Sequence, residues 1–151
     1  MIDRKTRLSG DHSEKGWTFI ESIIVVSIIL VLTSAVGIAG MRYVDRARTY
    51  TAKQEIAALG VALDGYYLDC GNYPSTDQGL EALWSEPDMS PVPAGWSGPY
   101  VARRDFDDPW GRAYLYSSPG PDGLPYRIAS YGADAQEGGE GKNADVVSWE
   151  D

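Results

Sequence analysis

One cysteine, Cys70, and one histidine, His12, are all that 151 residues contain of either type. A single cysteine allows no intrachain disulfide, and a single histidine leaves a Cys/His zinc site or a histidine-based catalytic triad without its parts. Most hydrolytic chemistry is therefore without its usual parts. Cys70 itself, in "YYLDCGNYP", reads better as a thiol packed at a helix end than as a reactive one. Proline is missing from Trp17 to about Asp69. Nothing there forbids a single helix of roughly 50 residues, about 80 Å long. Charge is missing as well from Ser22 to Met41, twenty uncharged and mostly apolar residues. As a helix they make about 30 Å, the thickness of a bilayer's hydrocarbon core. A helix buried in a protein core is the alternative, but a remainder this small and polar could hardly wrap it. A cleaved secretory signal is the other, and the run is too long for one. Its best small-residue cleavage site also lies before the run, at Gly16, not after it.

Basic residues are in short supply, and unevenly so. Residues 1–16 carry Arg4, Lys5, Arg7 and Lys15 against three acids, a net of +1, while the rest of the chain nets −10. An acidic remainder argues against nucleic acid and against adhesion to anionic lipid. Orientation in a membrane stays open on charge alone. Arg42, Arg46, Arg48 and Lys53 follow the apolar run as closely as the four leading cations precede it.

One residue at the mouth of the run is out of place. Glu21 stands directly before Ser22, and a carboxylate taken into a membrane costs about 2.5–3.5 kcal/mol on insertion scales. Either it sits among headgroups, or it has a partner inside.

Beyond Met41 the pattern changes. Ile56, Leu59, Leu63 and Tyr66 or Tyr67 recur at steps of three and four, an amphipathic stripe that lies on a globular domain. Gly37, Gly40, Gly60 and Gly65 each weaken the helix by about 1 kcal/mol relative to alanine. The first two mark either a bend or a place of close helix packing. "CGNYP" supplies stop chemistry. "PSTDQGLEALW" predicts a short helix, with Ser75 as N-cap and Gln78 completing a capping box. Pro87 to Gly98, with three prolines and two glycines, predicts a loop. "DDPWGR" predicts a turn. "AYLYSS" and "YRIASY" predict two short strands joined across "PGPDGLP" as a hairpin with a wide loop. The tail "GADAQEGGEGKNADVVSWED" is glycine-rich, acidic and too polar to enter a core. Within it Asp134, Glu137, Glu140, Asn143 and Asp145 place five oxygen-bearing side chains in twelve residues. Calcium takes six to eight oxygens. The spacing fits no EF-hand, and on the pattern alone a solvated acidic loop is the better reading. A domain of about 80 residues after the helix, lacking a disulfide, is nonetheless of a size where a metal staple is common.

The motifs together resemble a known family. "KGWTFIE" before an apolar run is similar to the type IV prepilin signal, a basic leader ending in glycine with glutamate fifth after the cut. "YPSTDQGLEAL", "DDPWGRAYLY" and "SYGADAQEGGEGKNAD" resemble, in order and spacing, the major pseudopilins of type II secretion systems. The resemblance covers Lys15 to about Trp149. One departure is Trp17, which stands where phenylalanine or methionine is usual.

The resemblance implies an α+β, pilin-like fold. It divides the chain into a leader, 1–16, a transmembrane and filament-core helix, 17–41, and a periplasmic domain, 42–151. A prepilin peptidase would cut after Gly16, with N-methylation of Trp17. Glu21 would then pair with the N-terminal amine of a neighbouring copy, and two charges costly to bury singly become tolerable together. Calcium is implied in the tail, with Asp134 as a side-chain ligand, Tyr131 through its carbonyl, Asp145, and Asn143 or a carbonyl near Gly141. Glu137 and Glu140 would face solvent. The partners implied are further copies of the chain, minor pseudopilins, an inner-membrane assembly platform and the membrane, with no nucleic acid. The chain would cross the inner membrane once, keep its C-terminal domain in the periplasm, join a pseudopilus and catalyse nothing. Two other readings stay open: a type IV pilin subunit of a surface fibre, and a membrane-anchored calcium-binding or enzymatic ectodomain that never polymerises.

Overall fold

A computed structural model describes residues 18–149, leaving aside the side chains at 35 and 37–39. Contacts divide the chain into residues 1–40 and 41–151, and each unit is taken by itself. The longest element is α1, Phe19–Cys70, as the missing prolines predict. It is helical through Gly37 and Gly40.

In the first unit, α1 from Phe19 to Ser34 is exposed at every residue. Its hydroxyls are satisfied within the helix. Ser27, Thr33 and Ser34 each donate to the carbonyl four residues back, at 2.7 to 2.8 Å. A helix in apolar surroundings needs this, since no water is there to take the bond. Those residues make about 24 Å of helix, against roughly 30 Å for a bilayer core. Among the described residues, no helix is long and apolar enough to cross a membrane.

In the second unit α1 turns amphipathic. Ala52, Ile56, Leu59, Leu63 and Tyr66 are buried, while Tyr67 is 45% exposed, so the stripe runs through Tyr66. It packs into one core with the 3-10 helix Leu80–Leu83 and a small sheet, through Leu83, Ile128 and Val146. The sheet has three antiparallel strands in the order β1 (Leu115–Ser117), β2 (Arg127–Ser130) and β3 (Val146–Val147). Leu115 lies opposite Ala129, and Ala129 opposite Val147. The predicted hairpin is therefore present, and so is the α+β class. Cys70, the last residue of α1, is half-buried against the core. Burial holds its thiol above the usual pKa, in keeping with a packing role.

Two expectations are corrected. The capping box forms: the Ser75 N–H donates to Gln78 Oε1 at 2.9 Å, and the Gln78 N–H to Ser75 Oγ at 3.2 Å. No α-helix follows it. Gly79 takes φ +62°, which breaks the helical path, and the chain resumes as the 3-10 helix. Gln78 gains a second task, since its buried amide donates to the carbonyls of Met89 and Pro91 at 2.9 and 2.8 Å. That ties the proline-rich loop to the domain. The second correction is the tail, which does enter the core. Val146 is 2% exposed and pairs with Ser130 as part of β3. Two valines suffice, because β2 already offers an edge whose N–H and C=O groups need partners.

Candidate functional site

Two regions hold the residues that the sequence singles out. At the N-terminal end, Gly16 and Trp17 lie outside the described residues. Glu21 is exposed in the first turn of α1. Its N–H donates to Thr18 Oγ1 at 3.3 Å, so Thr18 caps the helix. A carboxylate in a first helical turn also complements the positive end of the helix dipole.

The second region is the tail, and its position is set by a turn before it. In "DDPWGR" Asp108 is 5% exposed. Its Oδ1 accepts the N–H groups of Trp110 and Arg112, at 2.9 and 3.0 Å, and its Oδ2 accepts the Ser130 hydroxyl at 2.5 Å. The Arg112 guanidinium lies 3.9 Å from Oδ2 and donates to the Gly132 carbonyl. A buried carboxylate is tolerable with such a set of donors. Asp108 thus holds the end of β2 and the start of the tail in one place. The sequence gives "DDPWGR" as a turn and no more. The signal for this wider role was an aspartate before Pro-Trp-Gly, a residue type that closes turns with its own side chain.

From there the tail folds back on itself. The Ala133 N–H donates to the Lys142 carbonyl at 3.0 Å. Gly132 has φ +58°, and a Cβ on it would stand 2.8 Å from the Ala144 carbonyl. Residues 131–134 are thereby brought against 142–145. Tyr131, Asp134, Asn143 and Asp145 are all half-buried, whereas Glu137 and Glu140 are exposed. Asp134 Oδ1 accepts the Gln136 N–H at 3.2 Å, and Asp145 Oδ2 accepts the Gly138 N–H at 3.0 Å. Asp145 Oδ1 is buried with no hydrogen-bond partner. An orphaned carboxylate oxygen fits a hard cation that takes oxygen ligands. Among the described residues no group of three or more His, Cys, Asp or Glu side chains is placed to hold a metal. A cation here would need backbone carbonyls besides the two aspartates.

The model of the family "Type II secretion system (T2SS), protein G" matches residues 39–149. The chain belongs to that family. Type II secretion system core protein G of Pseudomonas aeruginosa is 41% identical over 139 residues, covering 92% of this chain and 97% of that protein. Its counterpart in Vibrio cholerae is 42% identical, covering 91% and 93%. Among solved structures, the major pseudopilin from the type 2 secretion system of enterohaemorrhagic Escherichia coli matches with a TM-score of 0.60. It is 35% identical and covers 70% of this chain and 89% of that one. The protein G family comprises structural pseudopilin subunits of the secretion machinery in the cell envelope. The resemblance read from the four motifs is thus borne out, and so is the pilin-like fold. A surface-fibre pilin loses ground, because the matches at both levels are to secretion proteins.

Proposed function

We propose that this protein G homologue is cut after Gly16, held by residues 17–41 in the inner membrane, and then polymerised into a periplasmic pseudopilus. Growth of that filament would help to drive folded proteins through an outer-membrane channel. The chain does no catalysis in this reading; peptidase and assembly motor are separate proteins, and minor pseudopilins and a membrane platform are its other partners. One observation carries the proposal. The exposed apolar stretch from Phe19 opens on a single carboxylate, Glu21. In lipid or among neighbouring helices, that charge needs a cation. The α-amino group created at Trp17 by cleavage is one, and each further copy supplies another. Pairing fixes axial register, which an apolar surface alone would leave free to slide.

Glu21→Ala and Glu21→Gln should be inserted and cleaved normally yet assemble poorly, and Glu21→Asp should be intermediate because its reach is shorter. Filament yield by electron microscopy measures this. Wild-type yield from the alanine variant would leave Glu21 as a headgroup neighbour, and absence of filaments from the wild-type chain would favour a non-polymerising ectodomain.

The same reading includes calcium in the tail. Asp134 and Asp145 would hold it by their carboxylates and Tyr131 by its carbonyl, with Asn143 or a carbonyl near Gly141 completing the set. The orphaned oxygen of Asp145 supports this. The cation would supply charge neutralisation, drawing both ends of the tail together.

A further inference from the structure

Four of the nine cations of the second unit line one groove. Along α1, Arg42, Arg46 and Lys53 stand at steps of four and seven, one face of a helix. They line a groove of about 590 Å³. Lys142, from the 3-10 turn Gly141–Asn143 of the tail, lines it too. Asp45 is the one acid on its wall, and the exposed ring of Tyr50 adds an apolar side. Among the described residues the ion pairs are Arg104–Glu81 and Arg112–Asp108, so none of the four groove cations is paired. In a chain with 22 acids and 13 bases, four unpaired cations around one groove form a local field opposite to the net charge. Such a field favours an anion. The turn bearing Lys142 is fixed by its own backbone. The Lys142 carbonyl accepts from Ala133, and the Asn143 N–H donates to Glu140 at 3.2 Å.

We propose that this groove binds the phosphate of an anionic phospholipid headgroup. The proposal rests on the membrane reading of residues 17–41. Arg42 stands one residue past the apolar run. It and Arg46 lie within about 8 Å of Met41 along the helix, the depth of one headgroup layer. A basic residue close to an anionic leaflet is attracted to it at about 1 kcal/mol, roughly fivefold in affinity. Guanidinium groups suit phosphate because they donate paired N–H bonds to its oxygens. Lys53 and Lys142 line the same groove as point charges.

The test uses the full chain in an uncharged detergent, with lipid retention read by native mass spectrometry. Short-chain phosphatidylglycerol should be retained in preference to short-chain phosphatidylcholine, and less so as salt rises. Arg42→Gln with Arg46→Gln should weaken retention about 25-fold, at about fivefold per cation. Lys142→Gln should weaken it by less, but measurably more than the control Arg104→Gln, which lies outside the groove. Lys142 decides the matter. It is remote in sequence from the helix, so a mere excess of charge beside an apolar run would not involve it. Equal retention of both lipids, or a Lys142→Gln variant like the control, overturns the proposal. So does competition by inorganic phosphate at the affinity of the lipid, which would make the ligand a soluble phosphate. Normal lipid retention with lost filaments in the double variant would assign the groove to an acidic segment of a second copy, and the proposal would again fail. Because a micelle need not be spanned, failure here leaves the membrane reading untouched.

Discussion

Phe19 to Ser34 and Ala52 to Tyr66 are stretches of the same helix, and among the described residues only the second has buried positions. Ile24, Leu30 and Val31 are 54, 62 and 69% exposed; Ile56 and Leu63 are 4 and 0% exposed. The difference lies in how the apolar residues are distributed round the helix. A helix that is apolar all round cannot be satisfied by one domain surface, whereas a stripe at steps of three and four needs only one. The second stretch receives that surface from the sheet and the 3-10 helix. The first receives none among the described residues; in the proposed function lipid covers it before assembly and other copies after it.

The most drastic way to break this contrast is to stop the first stretch from entering filaments at all. Gly16→Leu should leave the leader attached, with processing lost outright and not merely slowed, because a bulky side chain occupies the place of the small residue at the cut. Mass spectrometry of the mature protein reads this directly. A wild-type chain starting anywhere but Trp17 would show that the site has been misplaced.

A pair of truncations then compares the stretches on equal terms. Leu63→Ala should destabilise the second unit by about 2–5 kcal/mol, the cost of a cavity at a fully buried leucine. Ile24→Ala, at an exposed position, should change unfolding of the same unit by no more than about 0.5 kcal/mol. Denaturant titration of both variants provides the comparison. Similar losses would mean that the first stretch is covered by its own domain after all.

The sequence carried the second stretch well because its stripe, its stop signal and its capping box are all local. Ser75 and Gln78 meet as their spacing requires. What it did not carry depends on distant partners. Gly79 ends the helix before it starts, and the long-range reach of Gln78 to Met89 and Pro91 has no local signature. Strand β3 was hidden because Val146 and Val147 are two apolar residues in an acidic tail, and only the open edge of β2 makes them a strand. The candidate cation loop was half legible. Its acids were visible, but Gly132 packed on Ala144 and Asp108 anchoring Ser130 were not. The cations Arg42, Arg46 and Lys53 were legible as a group, but Lys142 joining them around one groove was not.

If a cation joins the ends of the tail, it also holds β3 against the stripe, because Asp145 immediately precedes Val146. Calcium should therefore stabilise the second unit by about 2.7 kcal/mol at a hundredfold excess over Kd. In melting temperature that is on the order of 10–20 °C. Asp145→Ala should abolish most of the response, as should Asp134→Ala. Magnesium should substitute poorly, since it demands a tight octahedron. Melting curves with calcium and with chelator decide the point; identical curves would return the tail to a solvated acidic loop.

The smallest expected effect sits at the far end of the second stretch, where α1 meets the proline-rich loop. Asp69 Oδ2 accepts the Ser97 hydroxyl and, at 2.8 Å, the Tyr100 hydroxyl. The Ser97 N–H donates in turn to Tyr100 at 3.0 Å. These bonds favour the carboxylate, with Ser97 contributing most, and hold Asp69 below the ordinary aspartate pKa. Burial pulls the other way and is the weaker influence. A depressed folded-state pKa fixes the sign of the linkage. The stabilisation is fully present above the unfolded aspartate value, and it fades as pH falls through the lower folded value. Asp69→Asn should therefore melt slightly below wild type at neutral pH, by an amount that stays constant down to about pH 5. At more acidic pH the two curves should converge as the wild-type carboxyl takes up its proton. The residue is exposed, so solvent screening keeps the effect small. A gap that persists unchanged into strong acid would show that the asparagine disturbs packing at the helix end, and that the loop is held by Gln78 and not by this carboxylate.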